Sequence, residues 1–285
     1  MRIPYGSLCT ASLVGLSTVF ANAAQPDEKV VFKEVEGDDL KLHVFKPDGW
    51  SKDDKRPAIV FFFGGGWVGG SPAQFYPHSE HLAGKGMVAI SAEYRTKKSH
   101  GTDPFACVED GKSAIRYVRA HAAELGVDPE KILAGGGSAG GHVAACTGTI
   151  KGFEVGDTEV RSIPVAMVLF NPVCDTSGRG YGIKKFAGRW REASPLHHIS
   201  NKTPPTCIFH GEADTTVPHK NAADFRDAMA KLGRRCELHS YPGEKHGFFN
   251  QGRGGNKAYT DTVAKMDAFL TSLGYLGKAK PGVAK

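Results

Sequence analysis

Long apolar runs, cysteine pairs and one-signed charge tracts are what this chain of 285 residues has little of. No apolar stretch reaches the roughly 20 residues needed to cross a bilayer, so no membrane span is expected. None of the six cysteines falls in a C-x-x-C spacing, and no histidines stand at metal-ligand spacing, so no metal is expected. The net charge of +6 is not gathered into a Lys/Arg stripe interleaved with aromatics, which argues against a nucleic-acid partner. Lys278, Lys280 and Lys285 carry part of the surplus and read as a solvated surface. Neither an internal repeat nor a low-complexity linker is present.

The 40% of apolar residues suffices for a sizeable core, and the length fits one large α/β domain. Met1-Arg2, the apolar stretch Leu8 to Phe20, and Ala21-Asn-Ala23 before Ala24 read as a signal peptide, residues 1–23, with an A-x-A cleavage site. A secreted or periplasmic protein is expected, with residues 24–285 as a single domain. Cys9 lacks the leucine three positions earlier that a lipid-anchor site would want. Cleavage would remove Arg2, lowering the charge to +5, and leave Cys107, Cys146, Cys174, Cys207 and Cys236. Five cannot all pair. Cys207 and Cys236 lie inside apolar strand patterns, so most read as small buried hydrophobes, with one disulfide left possible.

Two alternating runs, Val30 to Val35 and Leu40 to Phe45, flank Gly37-Asp-Asp39 as a hairpin. Beyond them come short apolar runs: Ala58 to Phe63, Val88 to Ala92, Lys131 to Ala134, Val165 to Phe170, Thr206 to Phe209 and Glu237 to Tyr241. Helix-length segments separate them, as in a mostly parallel sheet buried on both faces. Helices are expected from about Pro104 to Leu125, after Ser138, from about His219 to Leu232, and from Lys257 to Leu273. Arg116 and Arg119 read as surface residues of the first. The fold class is therefore α/β, eight strands with helices on both faces. The irregular stretch 175–204 is a small cap or substrate loop.

Gly136-Gly-Ser138-Ala-Gly140 follows a short strand and opens a small-residue helix, the G-x-S-x-G pattern of a nucleophile turn. The same glycines also fit a dinucleotide-binding G-x-G-x-x-G, as do Gly64-Gly-Gly66-Trp-Val-Gly69 with Glu93 further on. That second loop leads into Gly70-Ser-Pro72 rather than straight into a helix N-terminus, which disfavours a pyrophosphate site. A serine nucleophile needs a histidine base and a carboxylate to orient it. Asp214 and His246 each follow an apolar run, where open α/β sheets collect functional groups. Gly64-Gly-Gly66 could supply backbone N–H donors to an oxyanion. Trp67, Trp190 and the pair His197-His198 are candidate substrate contacts.

At Gly64-Gly-Gly66-Trp67, Tyr94-Arg95, Gly136-Gly-Ser138-Ala-Gly-Gly141, Asp214-Thr-Thr-Val-Pro218 and His246-Gly-Phe248 the chain resembles the α/β-hydrolase esterases. The hormone-sensitive-lipase-like and feruloyl/acetyl-xylan-esterase-like groups are the most similar. The resemblance implies Ser138 as nucleophile, His246 as general base then acid, Asp214 as its orienter, Gly65, Gly66 and Ala139 as oxyanion donors, and no cofactor. Two departures stand out. Phe63 occupies the place of the histidine in the usual His-Gly-Gly-Gly, and little chain precedes the first strand to build a lid. An open, shallow site follows, suited to short acyl or feruloyl esters of a bulky alcohol such as a polysaccharide. A general carboxylesterase or lipase, a prolyl-oligopeptidase-like peptidase, and a hydrolase-fold binding protein are the alternatives.

Overall fold

The computed structural model describes residues 23–156 and 158–277. The expected signal segment, apart from its last residue, and Lys278, Lys280 and Lys285 lie outside them. Strands β1 (Glu28–Lys33), β2 (Leu40–Phe45), β3 (Arg56–Phe62), β4 (Val88–Ala92), β5 (Val127–Gly137), β6 (Met167–Phe170), β7 (Thr206–Gly211) and β8 (Cys236–Tyr241) form one sheet. Their order is β1-β2-β4-β3-β5-β6-β7-β8, and only β2 runs against its neighbours. Five consecutive residues of β3, Ala58 to Phe62, are wholly buried, as a central strand covered on both faces must be.

Helices α1 (Tyr76–Ala83), α2 (Lys97–His100), α3 (Pro104–Ala120), α4 (Ala139–Thr149), α5 (Lys220–Lys231) and α6 (Lys257–Ser272) connect or follow the strands. Ile115, Val143 and Phe225 of α3, α4 and α5 share one core with Val60 and Ile90. Leu82 of α1 and Met266 of α6 share the opposite core with Ile59 and Val168. The sheet is thereby sandwiched between two helical layers.

Most elements fall where the sequence places them, with two informative differences. β5 runs on to Gly137 because Gly135, Gly136 and Gly137 pair with Val168, Leu169 and Phe170. Glycine is required at 135, where a Cβ would lie 2.6 Å from the Phe61 ring. Helix α3 starts on an Asp103 cap that accepts the N–H groups of Phe105 and Ala106, but it stops at Ala120 and not near Leu125.

Arg116 and Arg119 are not surface residues; they are 5% and 8% exposed. Their heads reach carbonyls of β5 and of the segment that leads into β6. Arg119 donates to Pro129 (2.9 Å), Ile163 (3.1 Å) and Arg161, and Arg116 donates to Val155 (2.6 Å) and pairs with Glu154. Burial, and then the neighbouring Arg161 charge, bring Arg119 down to about 10. Helical periodicity reads arginine as polar and outward, whereas its long stem let both heads find buried oxygens.

His78 of α1 is fully buried among Phe75, Phe170 and Tyr259, ring centroids 5.0–5.1 Å away, and neither ring nitrogen has a hydrogen-bond partner among the described residues. Burial, reinforced by the charge of His81, pushes it from 6.5 down to about 3. Its neutral form is thus the folded one. Above pH 6.5 this costs no stability. As pH falls from 6.5 towards 3 the unfolded chain takes up a proton that the folded chain refuses, removing about 1.4 kcal/mol per pH unit. His78→Leu is expected to flatten that slope, measured by urea unfolding between pH 7 and 4; equal slopes in both proteins would refute it.

Candidate functional site

Ser138 sits where β5 turns into α4, with φ 54° and ψ −119°, a conformation few side chains adopt. Backbone bonds hold it there. Its N–H donates to Phe170 (2.9 Å), and its carbonyl accepts the N–H of His142 (2.9 Å). The turn closes only because Gly140 has no side chain: a Cβ there would stand 2.0 Å from the Phe62 carbonyl oxygen. Ala139, the first helical residue, directs an N–H without intrahelical partner from the positive end of α4.

His246 follows β8 and reaches both neighbours at once. Its Nε2 lies 2.9 Å from Ser138 Oγ, and its Nδ1 lies 2.6 Å from the Asp214 carboxylate. Asp214 accepts at Nδ1, so the ring proton is placed there and Nε2 is left to take the serine proton. The other Asp214 oxygen accepts the N–H groups of Thr216 and Val217, both at 2.9 Å. Buried His210 stands 3.3 Å from the oxygen that faces His246. Burial alone would raise the Asp214 carboxyl. Hydrogen bonds from His210, His246 and the Val217 amide outweigh burial and hold it well below 3.8.

The glycine loop after β3 lies against this turn. A Cβ on Gly64 would be 3.1 Å from the Gly137 carbonyl oxygen and 3.3 Å from Ser138 Cβ. Gly65, at φ 138°, curls so tightly that a Cβ would meet the Gly69 carbonyl oxygen at 1.9 Å. The N–H groups of Gly65 and Gly66 find no protein acceptor among the described residues, which leaves them free to donate to a ligand. Phe63 does not leave the loop unsupported. Its ring stacks on Tyr94 at 4.2 Å, and the Tyr94 hydroxyl donates to its carbonyl at 2.6 Å. Gly64 N–H donates to Gln74 Oε1 at 2.6 Å, and Lys185 Nζ donates to the Gly66 carbonyl at 2.9 Å.

Four expected substrate contacts are corrected. Trp67 is 1% exposed, and its indole N–H donates to His142 Nδ1 at 3.2 Å, so it is a core residue. Trp190 packs edge-on against His197 and stands outside the cleft at Ser138. His197 and His198 bond Ser194 and the Arg191 carbonyl, also outside it. The cleft, about 390 Å³, is instead lined by Tyr181 of the 175–204 stretch, with Gln74, Asn171, Asn250 and Arg253. No motif marked these five. Asn171 had one legible signal, its place directly after an apolar strand; its Oδ1 accepts the Gly247 N–H at 2.9 Å.

The BD-FAE family model matches residues 42–181, and that of the dienelactone hydrolase family matches residues 178–278. Apo esterase 2 of Thermogutta terrifontis superposes with a TM-score of 0.85 at 50% identity, covering 88% of this chain and 96% of that one. The chain belongs to the α/β-hydrolase esterases. Among curated members, the probable carboxylic ester hydrolase LipM of Mycobacterium tuberculosis is 28% identical over 70% of this chain and 52% of its own. The acetylxylan esterase of Xylanibacter ruminicola is 30% identical over 67% of this chain and 41% of its own. The chain thus spans about half the length of the curated relatives it matches.

A carboxyl held below its ordinary value stabilises the fold above 3.8, and that stabilisation is lost as pH falls below 3.8 towards the lower folded value. Asp214→Asn should therefore be less stable than the parent at pH 7, with the gap narrowing as pH falls below about 4. Thermal unfolding at pH 7, 5 and 3 measures this, and a gap that widens in acid would overturn the assignment.

Proposed function

We propose that the protein is a carboxylic ester hydrolase in which Ser138 attacks the ester carbonyl and forms an acyl-enzyme. The observation that carries this reading is the unbroken contact from Asp214 through His246 to Ser138, at 2.6 and 2.9 Å. His246 Nε2 takes the Oγ proton as the bond from Oγ to the carbonyl carbon forms. The oxyanion so created receives the N–H groups of Gly65, Gly66 and Ala139, each donor typically worth about 3 kcal/mol in the transition state. Collapse expels the alcohol with the proton returned by His246. A water then repeats the sequence on the acyl-enzyme, and the acid leaves.

Short acyl groups are the proposed substrates. The cleft is small, and the Thermogutta esterase 2 structures include propionate-bound and butyrate-bound forms, at 49% and 48% identity to this chain. Others are phosphorylated by paraoxon and phosphonylated by sarin, reagents that mimic acylation of a nucleophile. For the alcohol we propose a carbohydrate, supported by the acetylxylan esterase relative and the BD-FAE match. Export through cleavage after Ala23 is part of the proposal, checked by whether the mature protein begins at Ala24.

Ser138→Ala should lower hydrolysis of p-nitrophenyl acetate by at least about 10⁴-fold while leaving the unfolding midpoint within a few degrees. Turnover equal to the parent's would end the proposal, as would a fluorophosphonate adduct mapped to another serine. In a panel of acetyl, butyryl, octanoyl and feruloyl esters with acetylated xylan, kcat/KM should fall by about 10-fold or more between butyryl and octanoyl. Release of acetate from xylan tests the carbohydrate half separately, and its absence would leave a general short-chain esterase.

A further inference from the structure

The glycine loop and the His246 loop come from distant parts of the chain, yet both must meet one substrate carbonyl. Two amide side chains bridge them. Gly64 N–H donates to Gln74 Oε1 at 2.6 Å, Gln74 Nε2 donates to Asn250 Oδ1 at 3.0 Å, and Asn250 Nδ2 donates to the Gly247 carbonyl at 2.8 Å. The direction of this chain is fixed at both ends. A backbone N–H can only donate, so Gln74 must present its oxygen to Gly64 and its NH₂ to Asn250. A backbone carbonyl can only accept, so Asn250 must present its NH₂ to Gly247 and its oxygen to Gln74. Turning either amide over would oppose donor to donor or acceptor to acceptor on both of its sides.

The ends of the bridge are adjacent to the chemistry. Gly64 precedes Gly65 and Gly66, whose N–H groups face the cleft, and Gly247 directly follows His246. The peptide groups on either side of Gly247 are both engaged, its N–H by Asn171 and its carbonyl by Asn250. Other holds on the glycine loop come from elsewhere, among them Tyr94 on the Phe63 carbonyl, Lys185 on the Gly66 carbonyl and His142 on the Trp67 indole. Among the described residues, the bridge through Gln74 is the side-chain link between the glycine loop and the His246 loop.

We infer that Gln74 and Asn250 are a positioning pair that sets the oxyanion donors relative to His246. The inference rests on the proposed role of Ser138. Neither amide exchanges a proton. They act through the backbone groups they hold, so their loss should be felt in the transition state more than in substrate binding.

The test is a double-mutant cycle with p-nitrophenyl acetate. Gln74→Ala and Asn250→Ala should each lower kcat by about 10- to 100-fold with KM within about threefold. The double variant should be no more than about threefold below the poorer single, since either change already breaks the bridge. Affinity for a trifluoromethyl ketone, which forms a tetrahedral adduct with the serine, should fall in parallel with kcat. Gln74→Glu keeps the oxygen for Gly64 but sets an acceptor against Asn250 Oδ1; it should lose kcat without losing stability, which keeps the idea testable if an alanine variant misfolds. Additive losses, a rise in KM with kcat intact, or losses that track the folded fraction would overturn the pairing. Wild-type turnover with a phosphonate adduct on Ser138, beside unchanged kcat in Gln74→Ala, would sink the bridge alone; no wild-type turnover would sink both readings.

Discussion

The closeness with which α4 meets the sheet is the constraint on which the site depends. Gly140 passes so near β3 that a Cβ would stand 2.0 Å from the Phe62 carbonyl oxygen and 2.3 Å from that of Phe63. Gly136 is as confined, 2.5 Å from the Gly140 carbonyl oxygen. Because these are backbone contacts, no rotamer change relieves them, and the turn exists only with glycine on both sides of Ser138. From that closeness follow the strained serine backbone, a hydroxyl that opens on the cleft, and the nearness of the glycine loop. The Ser138 strain is offset by the bond its N–H donates to the Phe170 carbonyl and the bond its carbonyl accepts from the His142 N–H, both partners lying within well-packed elements.

Below the turn, the sheet carries an aromatic layer that fixes its height. Phe61 stacks on Phe75 with centroids 4.8 Å apart, and Phe249 stacks on Phe170 at 4.7 Å. Gly137 fits because Phe249 fills the space its side chain would take, at 2.6 Å. Phe249 also lies three residues after His246, so the packing that supports the serine strand also seats the histidine loop. Buried His78 within this layer is the exception to its apolar character, and burial keeps it neutral. The histidine loop is thus held twice, to the serine strand by ring packing below the cleft and to the glycine loop by amides at its side.

The sheet, its order of alternating strands and helices, and the Ser138, Asp214 and His246 constellation were legible in the sequence, because each rests on a local pattern. Hydrophobic period marks strands, glycine marks the tight turn, and a polar residue directly after an apolar run marks a strand end. What escaped was set by tertiary reach. Arg116 and Arg119 look like outward helix positions until the carbonyls of Ile163 and Val155 come within range of their long side chains. Trp67 follows the glycines in sequence and so reads as a cleft residue, but the φ of 61° at that residue accompanies an inward-turned indole that finds His142, 75 positions away. Tyr181 belongs to an irregular stretch in which nothing distinguishes it from Trp190 before folding.

The Trp67 misplacement also explains how the 175–204 stretch is tethered. His142 accepts from the Trp67 indole at Nδ1 and donates through Nε2 to the Ala193 carbonyl at 2.6 Å, so a single neutral imidazole joins the glycine loop, α4 and the 175–204 stretch. Protonation at Nδ1 would break the indole bond, and burial guards against it by bringing His142 down to about 4, although the Ala193 hydrogen bond works the other way. The tether therefore stays intact above that pH, where Asp214 is also charged. Lys185 then reaches from the same stretch to the Gly66 carbonyl, so the segment anchored by His142 returns a hydrogen bond to the glycine loop. Through these contacts the 175–204 stretch helps to hold the glycine loop, and burial keeps the imidazole that carries one of them neutral.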